Sequence, residues 1–146
     1  MSARLFCPGL ISVPCYNPVV RDVFLTLGVG AVMPAAAGEQ LEVVSGDVDD
    51  TIAGAGAQKV KLLLVRLDGS FSVVELSMNG TTAVEAGAVV DYVFVADAWV
   101  SQVGATGSNE GDITVRKITA GGDRLVMKVG RNRVAPGQFI VPAGYV

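Results

Sequence analysis

The alternation of apolar and polar residues is clearest in the segment Val60–Met78. Two apolar runs rich in strand-forming residues flank Asp68-Gly69, a dipeptide that favours a two-residue type I′ hairpin turn. Asn79-Gly80 follows as a second turn signal and leads into Thr81–Val84. The pattern therefore predicts three successive strands joined by two tight turns, which is a β-meander.

A two-residue turn at this point fixes the register of the first two strands. It places Leu64 opposite Val73 and Leu63 opposite Val74. The first strand is apolar on both faces over residues 62–65. We therefore expect that strand inside a sheet or at a packed interface rather than at an exposed edge.

Short alternating segments separated by glycine- and proline-rich turns make up the rest of the chain. The predicted strands are Val19–Leu27, Glu39–Val44, Val89–Val100, Asp112–Thr119, Arg124–Val129 and Gln138–Val141. No segment keeps a 3.6-residue period beyond one turn. Eight or nine strands at intervals of about ten residues predict an all-β fold, an antiparallel β-sandwich that is jelly-roll-like.

The alternation also assigns faces within the long segment Val89–Val100. Tyr92 and Phe94 fall on one face of this strand, whereas Val95 and Trp99 fall on the other. The β-branched and aromatic residues of this segment favour a strand over a helix.

The segment Arg124–Val129 alternates just as regularly. Its apolar residues Leu125, Met127 and Val129 are predicted to face the core. Gly121-Gly122, immediately before it, is predicted to form another hairpin turn.

Residues 1–18 differ in character from the chain that follows. They contain three prolines and two cysteines and have no periodicity, so we interpret them as an extended N-terminal arm. Residues 19–146 then form a single β-sandwich domain. The arm carries four side chains that could dock onto a partner, namely Phe6, Leu10, Ile11 and Tyr16. Whether Cys7 and Cys15 are bridged stays open, although a reducing compartment argues against a disulfide.

The composition bears on the surface of the protein. The chain is 51% hydrophobic and 17% charged, against roughly 25% charged residues in an average globular chain. Part of the surface is therefore expected to be buried against other protein, including a second copy in a homodimer or homotrimer. The rival explanation is that many of the apolar residues are small and tolerate exposure. No apolar run reaches the roughly 18 residues of a membrane helix and no signal-peptide pattern is present, which predicts synthesis in a cytoplasm and no membrane partner.

Candidate chemistry is sparse. The chain has no histidine, which removes the Ser-His-Asp and Cys-His arrangements and the commonest metal ligand. The acidic stretch Asp47–Asp50 lacks the glycine and the glutamate of an EF-hand loop, so a solvated acidic loop is favoured over a calcium site. A carboxylate pair for glycoside hydrolysis stays open as a hypothesis. It is disfavoured, because any chain with fourteen acidic residues offers such pairs by chance. We expect no catalytic residues, no cofactor and no metal.

Charge is distributed unevenly along the chain. Residues 116–133 contain six basic side chains and one acidic side chain, whereas the rest has five basic and thirteen acidic ones. These basic residues could be solvated outward faces of two strands, or they could meet an acidic partner. The candidate partner-binding residues in this segment are Arg116, Lys117, Arg131 and Arg133. Nucleic acid is an unlikely partner because the segment lacks interleaved aromatic residues and the net charge is −3.

Four stretches carry a resemblance to a known class of proteins. They are Gly-Ala-Gly-Ala-Gln-Lys-Val-Lys at 54–61, Leu-Ser-Met-Asn-Gly-Thr-Thr-Ala-Val at 76–84, Val-Gly-Ala-Thr-Gly-Ser-Asn-Glu-Gly-Asp-Ile-Thr-Val at 103–115 and Ile-Val-Pro-Ala-Gly-Tyr at 140–145. Together they resemble a recurring module of tailed-phage structural proteins. The resemblance implies a virion protein, a cement or decoration subunit that binds the major capsid protein on the outer capsid surface and stabilises contacts between capsid subunits.

The alternative from another class is a receptor- or carbohydrate-binding β-sandwich of a phage fibre or tail. In that case Trp99, Tyr92 and Tyr16 would present aromatic faces to a ligand.

Overall fold

The structure is a computed structural model that describes residues 24–25, 35, 37–136 and 139–140. Every regular element within these residues is a β-strand. The strands are β1 (Phe24–Leu25), β2 (Leu41–Ser45), β3 (Ala57–Arg66), β4 (Phe71–Ser77), β5 (Val84–Glu85), β6 (Tyr92–Val103), β7 (Ile113–Lys117), β8 (Asp123–Met127), β9 (Arg133–Val134) and β10 (Phe139–Ile140).

The described residues fall into two compact units. One contains β1 and β10, which pair antiparallel with Phe24 opposite Ile140. The other contains β2 to β9. The predicted boundary at residue 18 and the four arm residues lie outside the described part of the chain, so the arm stays a prediction.

Strands β2 to β9 form two antiparallel four-stranded sheets, in the orders β5-β2-β7-β8 and β4-β3-β6-β9. The sheets pack face to face, which confirms the predicted all-β antiparallel sandwich, and the jelly-roll topology stays a prediction. The core residues below 2% exposure are apolar side chains from both sheets: Val43, Ala57, Val60, Leu62, Leu64, Ala86, Ala98, Ile113, Val115 and Met127.

Strand β3 lies in the interior of its sheet, between β4 and β6. Its residues Val60, Leu62 and Leu64 are fully buried in the core. The prediction that this strand would not form an exposed edge is confirmed.

The register predicted for the β3–β4 hairpin is wrong by one residue. Leu63 lies opposite Val73 and Leu62 opposite Val74, because the loop has three residues rather than two. The N–H of Arg66 donates to the carbonyl of Ser70 at 2.9 Å across this loop. Gly69 is its left-handed residue, with a φ of +83°, as in three-residue hairpin loops.

The predicted three-stranded meander is also wrong, because β5 pairs with β2 in the opposite sheet. The chain leaves β4 at Gly80, whose N–H donates to the carbonyl of Asp50 at 2.7 Å. The carbonyl of Gly80 accepts from the N–H of Ser45 at 3.1 Å. Since Gly80 is bonded to the loop after β2, Asn79-Gly80 directs the chain across the sandwich instead of closing a hairpin.

Two bulges in β6 overturn the predicted assignment of its faces. The register with β3 skips one residue of β6 between Tyr92 and Phe94 and another between Val95 and Asp97. A bulge shifts the alternation of side chains by one residue. Tyr92 and Val95 therefore both lie in the core, although strict alternation puts them on opposite faces.

The hairpin turn predicted at Gly121-Gly122 is confirmed, since β7 and β8 pair antiparallel around it. Thr119 and Ala120, not Gly121-Gly122, have positive φ values, of 62° and 54°. A Cβ on Gly121 would lie 2.8 Å from the Cβ of Lys117. Glycine at 121 is thus favoured by close approach rather than by a left-handed conformation.

Strand β8 confirms two of its three predicted core residues. Leu125 and Met127 are buried, whereas Val129 is exposed because β8 ends at Met127. Strand β9, with two residues, was not predicted from the sequence.

Gly69 provides a test of the hairpin loop. Replacing Gly69 with Ala should lower the free energy of unfolding by about 1–2 kcal/mol, since a Cβ is disfavoured at positive φ. Gly122→Ala is the matched control, because this glycine has no positive φ and a Cβ there would make only an ordinary contact, 3.6 Å from a side-chain nitrogen of Arg124. Urea denaturation of both variants checks the prediction, and equal stability of the two would contradict the assigned loop.

Ala120 should respond in the opposite direction. Ala120→Gly should raise the stability by up to about 1 kcal/mol, because glycine removes the cost of a left-handed alanine. Ala105→Gly, at an exposed position with ordinary φ, should instead lose about 0.5 kcal/mol through unfolded-state entropy. Shifts of the same sign in thermal melting would show that the turn is assigned wrongly.

Candidate partner-binding surfaces

Three segments at one end of the sandwich converge on the carboxylate of Asp50, which is fully buried. Its Oδ1 accepts from the N–H groups of Ala57 at 2.6 Å and Glu110 at 2.9 Å. Its Oδ2 accepts from the hydroxyl of Ser45 at 2.5 Å and the N–H of Gly111 at 2.9 Å. One side chain thus connects the end of β2, the start of β3 and the loop before β7.

Two glycines allow these segments to come together. A Cβ on Gly56 would overlap the Asp50 carboxylate. A Cβ on Gly111 would lie 2.5 Å from the backbone nitrogen of Asp47 and 2.7 Å from the Ser45 hydroxyl. Glycine is therefore required at both positions by close packing.

Asn109 connects the same loop to the segment after β8. Its side-chain amide donates to the carbonyls of Gly111 at 2.7 Å and Lys128 at 3.1 Å. Its carbonyl oxygen accepts from the N–H groups of Arg131 at 3.1 Å and Asn132 at 3.2 Å. The amide is 1% exposed, so it acts as a structural cross-link rather than as a group available to a ligand.

The carboxylate of Asp112 completes this end of the sandwich. It accepts from the ammonium of Lys128 at 2.7 Å and from the N–H of Val129 at 2.9 Å. These two hydrogen bonds lower the pKa of Asp112 below its ordinary value. The glycine-, asparagine- and aspartate-rich stretch at 103–115 therefore holds the fold together.

These contacts correct the interpretation of Asp47–Asp50 as a solvated acidic loop. Asp49 is exposed, but Asp50 is buried and accepts four hydrogen bonds. Nothing in the sequence distinguishes the two adjacent aspartates, because the difference depends on donors supplied by residues 57, 110 and 111.

Most of the basic segment pairs with acidic side chains of the same chain. Arg116 on β7 lies directly opposite Glu42 on β2, with Nε 2.7 Å from Oε1. Arg124 donates two side-chain nitrogens to the carboxylate of Glu39, at 2.6 and 2.8 Å. Lys117 lies 3.6 Å from that carboxylate. The acidic and basic parts of the sequence are thus neighbours in one sheet.

The pKa of Glu42 reflects this arrangement. Burial raises the pKa, but hydrogen bonds from Arg116 and from the N–H of Ala120 outweigh burial and leave the pKa below its ordinary value. A carboxyl whose pKa is lower in the folded state stabilises the fold at neutral pH. This contribution is lost as the pH falls through the folded-state pKa.

The remaining two basic candidates differ from each other. Arg133 on β9 donates to the carboxylate of Asp97 on β6 at 2.5 Å, although its side chain is otherwise exposed. The side chain of Arg131 is exposed and makes no ion pair with another described residue. Arg116 and Lys117 lie on β7, whereas Arg131 and Arg133 lie near β9 in the segment that follows β8. The positions of these four side chains do not test partner binding, which stays a prediction.

A separate apolar surface, which was not predicted from the sequence, lies on the outer face of the β4-β3-β6-β9 sheet. We call it the β4 patch; it consists of the exposed Phe71 and Val73, with the half-buried Leu63 and the buried Val65 beside them. Leu63 lies opposite Val73 and Val65 opposite Phe71, so the four side chains share one face. Phe71 is 68% exposed and Val73 58% exposed. The signal available in the sequence was Phe-Ser-Val, in which apolar residues occupy alternate positions of an edge strand.

The aromatic residues proposed for glycan binding separate in the structure. Tyr92 is buried in the core and cannot present its ring, which corrects that part of the alternative. Trp99 is half-buried and lies opposite Lys61 and Arg133 in the sheet. Tyr16 lies outside the described residues.

The described residues contain no cluster of three histidine, cysteine, aspartate or glutamate side chains that could hold a metal ion. Among the same residues, none forms a helix of the length and hydropathy needed to span a membrane. Comparisons with protein-family models, with curated proteins and with solved structures found no match.

The Asp50 cross-link can be tested by an isosteric change. Asp50→Asn should lower the free energy of unfolding by more than about 3 kcal/mol, because the new amide would direct N–H groups at N–H donors. Asp49→Asn, at the exposed neighbouring position, should change stability by less than about 0.5 kcal/mol. Urea denaturation measures both, and a mild effect at Asp50 would contradict its central role.

Proposed function

We propose that the protein is a phage virion structural protein, a cement or decoration subunit that binds the outer capsid surface and stabilises contacts between major capsid proteins. The observation that carries the proposal is the exposed apolar β4 patch on a chain with only 17% charged residues. Such a patch is typical of a protein-binding surface. The resemblance of residues 56–142 to tailed-phage structural proteins supplies the kind of partner.

The cross-linked loops are consistent with a binding role. Asp50 and Asn109 hold the loops at one end of the sandwich in fixed positions through buried hydrogen bonds. A subunit that needs no loop movement loses little conformational entropy when it binds. On this proposal the protein is not an enzyme and needs no cofactor.

The proposed capsid contacts combine the β4 patch with the arm and the basic segment. The arm residues Phe6, Leu10, Ile11 and Tyr16 would supply apolar contacts. Of the four basic candidates, Arg131 has the charged group most available to an acidic capsid surface. Arg116, Lys117 and Arg133 form ion pairs within the chain. A second copy of the chain, as homodimer or homotrimer, is also a proposed partner, and neither nucleic acid nor membrane is.

Two measurements test the proposed location on the virion. Mass spectrometry of purified particles should detect the chain in stoichiometric amounts. Particles stripped of it should bind the purified protein again and withstand a higher temperature afterwards. Absence from virions, or failure to bind stripped particles, would contradict the proposal.

Arg131 allows a sharper test. Arg131→Gln should slow binding to stripped particles at low salt and reduce the salt dependence of the rate, because electrostatic attraction mainly accelerates association. Ala88→Glu, at an exposed position elsewhere, changes the net charge by the same amount and is the control. Equal rates and salt slopes for Arg131→Gln and the parent would show that this arginine is merely solvated.

A further inference from the structure

Strand β4 is an outer strand of its sheet, and half of its backbone polar groups point away from that sheet. The N–H of Met78 donates to Gln58 and the carbonyl of Ser70 accepts from Arg66, both at 2.9 Å, so even-numbered residues face β3. Because neighbouring residues of an antiparallel strand alternate in direction, the odd-numbered residues face outward. These residues are Phe71, Val73, Glu75 and Ser77.

Within the described residues, and apart from the single charge of Glu75, this edge lacks the usual protection against pairing with another strand. Its seven residues pair with β3 in an unbroken register, whereas the register shifts of this sheet lie between β3 and β6. It contains no proline and no lysine. Edge strands that avoid association are generally short, charged, bulged or covered. Among the described strands β4 pairs only with β3, and its outward-facing residues include the two exposed apolar side chains Phe71 and Val73.

We propose that β4 pairs antiparallel with β4 of a second copy about a two-fold axis, so that two four-stranded sheets join into one continuous sheet. A two-fold interface requires a surface that is complementary to itself. The first part of β4, Phe71–Val73, meets this requirement, because an antiparallel pairing centred on Ser72 places Phe71 of each copy opposite the partner's Val73. Aromatic and β-branched residues form favourable cross-strand pairs.

Charge and packing select this register over one centred on Val74. Centring on Val74 would place Val73 opposite the partner's Glu75 and bring the two Glu75 carboxylates within about 10 Å. Centring on Ser72 separates these carboxylates by about 20 Å along the strands. It also joins the two β4 patches, since Leu63 and Val65 flank Val73 and Phe71 in each copy. Each carboxylate keeps its own Lys61 at 3.5 Å.

The size of the interface sets its strength. One strand pair with a small apolar patch lies at the low end of protein–protein interfaces. The dimer should therefore be weak and depend on concentration, and it would be favoured where many copies are held close together. The inference rests on the proposed pairing with a second copy and names its surface and register, and it can hold for a subunit that never binds a capsid.

Sedimentation of the full-length protein from about 5 to 500 μM tests the proposal. The parent should form dimers within this range, and Val73→Lys should weaken dimerisation at least tenfold. Val90→Lys is the matched control, since Val90 is 62% exposed and lies outside β4. Circular dichroism establishes that both variants are folded. A monomeric parent, or equal dimerisation of both variants, would overturn the proposal.

Hydrogen exchange measured on the parent protein tests the proposed dimer even if Val73→Lys fails to fold. In the parent, the amides of Phe71 and Val73 should exchange rapidly at low concentration and become protected as dimers form, whereas the amide of Ser77 should stay rapid. Protection of Ser77 as well would overturn the Ser72-centred register. Protection that appears only when a peptide from another protein is added would overturn pairing with a second copy.

Discussion

Four hydrogen bonds to the buried Asp50 carboxylate determine how the two sheets meet at one end of the sandwich. The donors come from Ser45 at the end of β2, Ala57 at the start of β3, and the loop that leads into β7. Strands β2 and β7 belong to one sheet and β3 to the other, so this one side chain bonds to both. A buried carboxylate is costly unless its oxygens are satisfied. The loops are therefore held in the conformation that supplies all four donors.

Electrostatics acts mainly within the sheet. The excess of basic residues in the last third of the chain is matched by Glu39 and Glu42 on and beside β2, which the fold places next to β7 and β8. A charge run in a sequence can thus be complementary to another part of the same chain rather than to a partner. Of the proposed electrostatic contacts to the capsid, the one from Arg131 is therefore the most important. The affinity for the capsid is proposed to come mainly from apolar contact.

The class of fold was predictable because alternation and turn residues are local properties. Strand β3 was placed correctly inside a sheet from its two apolar faces. The register of the β3–β4 hairpin was not, since Asp68-Gly69 is compatible with loops of two or three residues. Which face of β6 each side chain occupies depends on the bulges in its pairing with β3. The burial of Asp50 depends on hydrogen-bond donors as far away in sequence as Gly111. Apart from the local β3–β4 hairpin loop, the failed predictions concern features set by contacts between segments distant in sequence.

The pairing of β2 with β7 also has a consequence for the way the chain folds. Glu42 and Arg116 are separated by 74 residues, and β2 lies between β5 and β7. During synthesis β2 therefore leaves the ribosome long before its main neighbour exists. Closing so long a loop is entropically costly, and folds dominated by distant pairings fold slowly. While β7 is missing, the apolar residues of β2 have only the two-residue strand β5 beside them. The newly made chain thus passes through a period in which one half of its sandwich is present without the strand that completes it.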